Sequence, residues 1–201
     1  MDIGKNIQRG FDLYTKNFVT LFSACLVTGI LAAVTAGILA GPLIGGVMIL
    51  GLKLSRGEKG EFGEIFNHFD QFIPTLIVTL ILLVTSLILR ALIFIPVLGL
   101  IVNLLVGPGL GLVYFLAIGF IVDRRMEPAE ALKRSLDYFL AAPAPLWIYS
   151  LVTGIMAGIG AIIFIIGVFL TAPFGAAAMT IVYQEVSTNE NTPSGMGFFE
   201  K

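Results

Sequence analysis

The chain has 201 residues, of which 57% are hydrophobic and 12% charged, with a formal net charge of −1. A soluble domain carries about 25% charged residues, so this much apolar surface at this length requires lipid as part of the solvent. The near-neutral balance argues against a nucleic-acid partner, which needs a basic footprint. A single cysteine, Cys25, excludes an intrachain disulfide, and a lone histidine, His68, cannot build a metal site by itself; no cofactor is expected.

The first element is amphipathic. Ile3, Ile7, Phe11, Tyr14 and Phe18 fall at helical spacing on one face, as in helices that lie in the headgroup layer with their aromatics toward the acyl chains. Phe18 to Leu52 then contains no charge. It is read as two spans, Phe18–Ala36 and Gly37–Leu54, broken at Ala36-Gly37. Each arm is near the lower limit for crossing a core of about 30 Å, so a wedge that enters and returns is the alternative here. No cleavable signal is expected, because too few apolar residues precede the Ser23-Ala24-Cys25 stretch, and Cys25 reads as a small buried thiol.

A second amphipathic phrase follows, with Phe62, Ile65, Phe66, Phe69 and Phe72 on one face. It leads into spans Phe72–Phe94 and Leu98–Val122, with the turn near Pro96 and Gly99. The third phrase starts at Glu127-Pro128, proline suiting a first helical turn, and carries Leu132, Leu136 and Phe139. Spans Pro145–Ile165 and Gly167–Gln184 follow, divided at Ile166-Gly167. Glu185 to Lys201 is polar, with Pro193, Gly195 and Gly197, and reads as a disordered tail in which Phe198 and Phe199 could touch membrane or a partner.

The three phrases are related. Aligned on Asp12, Asp70 and Asp137, they place Thr28, Thr85 and Thr153 at 16, 15 and 16 residues onward, within LVTGI, LVTSL and LVTGI. Gly41-Pro42, Gly107-Pro108 and Ala172-Pro173 follow in the second arms. One order of features three times marks an internal repeat. The expected fold is all-α: six transmembrane helices as three parallel helix-hairpin repeats, each preceded by an amphipathic cytoplasmic interfacial helix. The units are residues 1–60, 61–126 and 127–184, with a tail at 185–201, forming one membrane domain packed about a pseudo-threefold axis.

Charge sets the orientation. Lys5, Arg9 and Lys16, then Lys53, Arg56 and Lys59, then Arg124, Arg125, Lys133 and Arg134, and finally Lys201, all fall on one side. Arg90 alone lies near the opposite hairpin tips. The positive-inside rule puts both termini in the cytoplasm of a multi-pass inner-membrane protein. All thirteen acidic residues share that side, which limits net attraction to anionic lipid.

The candidate functional positions are structural in character. Arg90, the one ionisable residue deep in membrane sequence, can snorkel from the end of its span or contact an anion or lipid phosphate, with Asn103 as its polar neighbour. Pro42, Pro108 and Pro173 each remove a backbone donor and can kink a span; together they could line an axial cavity. Arg9, Asp12, Asp70, Arg134 and Asp137 could form a cytoplasmic ring that docks a partner, with Arg9–Asp12 and Arg134–Asp137 pairing at i,i+3. Gly29, Ala33, Gly37 and Gly41, with Gly107–Gly111 and Gly154–Gly158, give small-residue faces for tight packing within the chain or a homo-oligomer seam. No carboxylate or histidine lies in a span, so a proton relay is disfavoured. No metalloprotease, P-loop or paired-cysteine motif is present, and His68 with Glu61, Glu64 and Asp70 reads as a solvated loop.

The segments SRGEKGEFGEIFNHFDQFIPTL, EALKRSLDYF and LTAPFGAAAMTIVYQEV resemble a group of bacterial and archaeal multi-pass membrane proteins. The group includes the YciC-like proteins and the membrane domain attached to some glycerophosphodiester phosphodiesterases. The resemblance covers most of the chain and implies a membrane domain of hairpins preceded by amphipathic phrases. It implies no phosphodiesterase activity, since the catalytic motif is absent. The three-by-two layout is also similar to mitochondrial carriers in architecture alone, the carrier signature being missing. The expectation is a non-enzymatic membrane protein acting by binding, as accessory subunit, scaffold or lipid-interacting element. Its partners would be membrane lipids, further copies of itself or a larger membrane complex. A facilitator or channel with a passage along the pseudo-threefold axis is the alternative.

Overall fold

The computed structural model describes residues 2–91, 96–163 and 165–190, and these are helical, with no strand among them. Helix α1 (Ile3–Lys16) starts at Asp2, whose Oδ1 accepts the Lys5 N–H at 3.0 Å, and ends one residue before α2 (Phe18–Val34). The two meet at 92°. A turn with Ala36 at φ 50° and Gly37 at φ 86° reverses the chain into α3 (Ala40–Ser55). The break falls where the sequence places it, because glycine takes a left-handed φ at no steric cost.

The second phrase is not an α-helix. Phe62–Gln71 is a 3-10 segment, opened by a capping box between Glu61 and Glu64 and kinked at His68 (φ −111°, ψ 22°). It runs directly into α4 (Phe72–Ala91). The following tip near Pro96 involves residues 92–95, outside the described residues. Helix α5 (Pro96–Arg124) contains Pro108. Helix α6 (Pro128–Ala141) carries Pro128 at its first position and meets α7 (Pro143–Ile163) at 104°. Helix α8 (Ile165–Glu190) contains Pro173, and Ile166 and Gly167, where the sequence places a turn, lie within it; residue 164, between α7 and α8, lies outside the described residues. Contrary to the expected tail from 185, α8 continues to Glu190. It is held there by buried Val186 and by Arg124 Nη2 donating to the Ser187 carbonyl at 2.6 Å. The rest of the tail, 191–201, lies outside the described residues.

Among the described residues, two helical stretches, Phe62–Leu89 and Ile101–Arg124, are long and apolar enough to cross a membrane, or up to four if each bent pair counts as one span. Apolar side chains face outward along α4, where Ile73, Ile77, Leu80, Val84 and Leu87 are exposed. A water-soluble surface rarely shows so continuous an apolar face.

The core occupies one end of the bundle. Leu112, Leu116, Phe120 and Ile121 of α5 are buried against Met48 of α3, Tyr149 of α7 and Tyr183 of α8. The other end is looser: Ile101, Leu104 and Leu105 of the same α5 are exposed.

The phrases dock in an unexpected way. In α1 the buried residues are Asn6, Gly10 and Leu13, each one position before the stripe residues Ile7, Phe11 and Tyr14. In α6 they are Ala131 and Ser135, one before Leu132 and Leu136. In the 3-10 segment it is Ile65, while Phe62 and Phe66 are 47% and 41% exposed. Small or polar residues share the buried face with Leu13 and Ile65; Ile3, Ile7, Tyr14, Leu132 and Phe139 pack half-buried against the core, while Phe11, Leu136, Phe62 and Phe66 stay exposed. Asn6 Nδ2 donates to the Glu185 carboxylate of α8, and a Cβ on Gly10 would lie 2.8 Å from Ala178 Cα. Close backbone approach at Gly10 seats α1 together with Leu13, Ile3, Ile7 and Tyr14, which pack on the bundle.

Candidate functional site

The looser end of the bundle holds a crevice of about 460 Å³ between the first hairpin and the α4–α5 pair. Leu82, Leu83 and Leu110 supply its apolar wall, and Thr79, Ser86, Asn103 and Tyr114 its polar groups. Helical periodicity builds it. Thr79 and Ser86 are seven apart on α4, and Asn103, Gly107, Gly111 and Tyr114 recur at 4, 4 and 3 on α5. The Thr79 and Tyr114 hydroxyls lie 3.2 Å apart, and Thr79 Oγ1 also donates to the Thr75 carbonyl at 2.8 Å. A Cβ on Gly41 would meet Thr75 and Thr79 at 2.9 Å, so α3 closes tightly on α4 below the crevice. Hydroxyls and one amide in an apolar wall suit a molecule that is mostly hydrocarbon with a few hydrogen-bonding groups.

Of the expected positions, Asn103 lines this crevice, and the side chain of Arg90 lies outside the described residues. The prolines are not equivalent. Pro42 sits in the first turn of α3, where backbone N–H groups have no intrahelical partner, so it does not kink a span. Pro108 is inside α5, and α7 braces the helix around it: Trp147 Nε1 donates to the Leu105 carbonyl at 2.7 Å and Ser150 Oγ to the Pro108 carbonyl at 2.6 Å. These bonds tie α5 to α7 at and just before the proline; the carbonyl that Pro108 itself leaves without a helical donor is that of Leu104. Pro173 is inside α8 and buried. The small-residue faces also divide. Gly41 packs as expected, whereas a Cβ on Gly107, Gly111, Gly154 or Gly158 would meet no atom within 4 Å. Within the chain those glycines open grooves instead of sealing helix pairs.

The charged ring is distributed. Asp70 pairs with Arg125 at 2.8 Å, and Arg134 with Glu130 at 3.7 Å, an i,i+4 contact; Asp137 is exposed. Arg9 reaches across to Gln184 of α8 at 3.5 Å, and shares a cavity with Asp12. The loop expected to be merely solvated is clamped. Lys53 Nζ lies 2.6 Å from Glu64, which holds the Glu64 carboxyl below its ordinary range through that hydrogen bond.

His68 sits at the kink of the same segment with Nδ1 buried and unpartnered. Burial pushes its imidazole below the ordinary 6.5, with Asp70 opposing and Arg125 and Lys53 adding to the shift. The unfolded chain therefore takes up this proton first, and stability falls as pH drops from 6.5 toward the folded value. Thermal midpoints measured from pH 7 to 5 are expected to decline in the parent chain and to flatten in His68→Gln. The pairs of Glu64 and Asp70, whose carboxyls are both lowered, lose their contribution only below the ordinary carboxylate pKa. They leave the His68 window undisturbed.

Thr79, Ser86 and Tyr114 escaped the sequence reading because they carry no charge. Their shared helical faces were the available signal. No protein-family model matches the chain, and no curated protein or solved structure matches it.

Proposed function

We propose that the chain is a non-enzymatic integral membrane protein that binds a lipid-like amphipathic molecule in the crevice between its first and second hairpins. The observation that carries this reading is the crevice itself, an apolar wall interrupted among the described residues by Thr79, Ser86, Asn103 and Tyr114. The finer architecture belongs to the same proposal: six spans in three parallel repeats in the inner membrane, with both termini cytoplasmic. It is supported by the threefold order of an amphipathic element followed by a helix pair. The 92° and 104° bends, which would let α1 and α6 lie flat while α2 and α7 descend, support it too. The exposed apolar face of α4 fits as well, since a large apolar face turned from the bundle needs lipid to cover it. The resemblance to YciC-like and phosphodiesterase-attached membrane domains, which implies no catalysis, accords with this reading.

The test uses Gly111, which faces the crevice and whose Cβ position is open. In Gly111→Phe the Cβ meets no neighbour within 4 Å and the added ring takes up groove space beside it. Chain purified in mild detergent is expected to carry bound lipid by mass spectrometry, and Gly111→Phe to lose about tenfold of it with its thermal midpoint unchanged. Equal lipid in both would end the proposal. A passage along the axis is the second reading, favoured by Gly107 and Gly111 bordering both this crevice and the groove toward α7. Cysteine labelling at Gly107, Gly111 and Gly154, whose Cβ positions are open, that stays silent from both sides would exclude it.

A further inference from the structure

A second cavity, of about 320 Å³, lies at the opposite end of the molecule, at the corner where α1 bends into α2 beside the end of α3. Two cations, Arg9 and Lys16, and one carboxylate, Asp12, stand on its wall, all on the exposed side of α1. Leu13, Leu54 and Ile181 form an apolar floor, and Asn17 and Ser55 add polar atoms. Helices α1 and α3 both terminate here, at Lys16 and Ser55, and a helix C-terminus carries partial negative charge. The cavity thus presents positive charge from two side chains, and negative charge from one carboxylate and two helix ends.

From this we infer that the α1–α3 corner binds the headgroup of a phosphatidylethanolamine-type phospholipid. Arg9 and Lys16 take the phosphate; Asp12 and the helix ends take the primary ammonium. Charge-assisted hydrogen bonds of both signs are then satisfied by one molecule. A purely anionic headgroup would leave Asp12 facing like charge. A quaternary ammonium would lack its usual aromatic cage, since no described residue lining the cavity is aromatic. The glycerol and acyl chains would leave along Phe18 and Phe22, whose rings stack 5.5 Å apart at the start of α2. The inference rests on the reading of α1 as lying in the headgroup layer.

The experiment titrates the full chain in mild detergent with phosphatidylethanolamine, phosphatidylcholine and phosphatidylglycerol of one acyl composition, and separately with O-phosphoethanolamine and inorganic phosphate. Bound molecules are counted by native mass spectrometry. One phosphatidylethanolamine is expected to bind about tenfold more tightly than either other lipid. Asp12→Asn abolishes its preference over phosphatidylglycerol, Asp12→Glu restores it, and Arg9→Gln with Lys16→Gln weakens all three lipids. Equal binding of the three lipids to the parent chain overturns the inference. A preference that survives Asp12→Asn does so too. O-phosphoethanolamine or inorganic phosphate binding as tightly as the lipid would show a site for a free anion and overturn the lipid assignment. Reporter fusions at 55–70 and 123–137 separate the two levels. Opposite sides would sink the membrane reading, while agreement without lipid selectivity would sink the headgroup site alone.

Discussion

The Gly46→Val variant is expected to unfold about 2–3 kcal/mol more easily than the parent chain, and to expose the linker between α3 and α4. A Cβ at position 46 would stand 2.3 Å from the Ile65 carbonyl oxygen and 2.6 Å from its Cα. The obstacle is backbone, which cannot rotate aside as a side chain would. Ile65 is itself fully buried, the one residue of the 3-10 segment that reaches the core. Lifting it would also pull Glu64 from Lys53 and draw the capping box open. Thermal unfolding in detergent reads the loss, and limited proteolysis across 56–61 reads the exposed linker. Gly63→Ala is the control: it lies in the same segment, and its Cβ would meet nothing within 4 Å. A Gly46→Val chain as stable and protease-resistant as Gly63→Ala would refute the packing described.

The second large effect is expected at Gly10. Gly10→Leu places a side chain where Ala178 Cα is 2.8 Å away, so α1 must rise from α8, at a cost of about 2 kcal/mol. The buried contact between Asn6 and Glu185 goes with it. Trypsin should then cut at Lys5, Arg9 and Lys16 much faster than in the parent chain. Gly4→Ala is the counterpart on the same helix. Its Cβ meets only Asp2 Oδ1 at 3.6 Å, and alanine for glycine in a helix gains up to about 1 kcal/mol. The two variants make the same helix better formed and worse docked, so they separate helix propensity from seating.

Much of the fold was legible because apolar runs and charge gaps report directly on helix pairs. The Ala36-Gly37 turn and the proline start of α6 came from local backbone chemistry, which acts without tertiary help. The side on which each phrase docks was hidden. A stripe such as Ile7–Phe11–Tyr14 states only which face is apolar. Whether that face meets protein or lipid depends on what stands behind it: Ile7 and Tyr14 pack on the core while Phe11 stays exposed, and Gly10 lies against another backbone. The 3-10 geometry of Phe62–Gln71 was hidden for a similar reason. Its pattern suits an α-helix, but the contacts that hold it, the Lys53–Glu64 pair and Ile65 against Gly46, are made with α3. Asn103 could be picked out as a lone amide in an apolar run. Thr79 and Tyr114 were marked only by their places on shared helical faces, and their meaning arises when two helices set their hydroxyls 3.2 Å apart.

The first hairpin is short. Helix α2 has 17 residues and α3 has 16, about 25 Å each at 1.5 Å per residue, against 20 to 29 in α4, α5, α7 and α8. In a bilayer with a core of about 30 Å, its tip at Ala36–Gly37 would stop beneath the far surface while its neighbours continue. Gly37 and Ala40 of that tip border the crevice, so the gap above the short arm becomes a doorway in the side wall. A guest would then arrive sideways from the surrounding oil, where hydrophobic molecules are already concentrated, and its occupancy would track membrane thickness as closely as affinity.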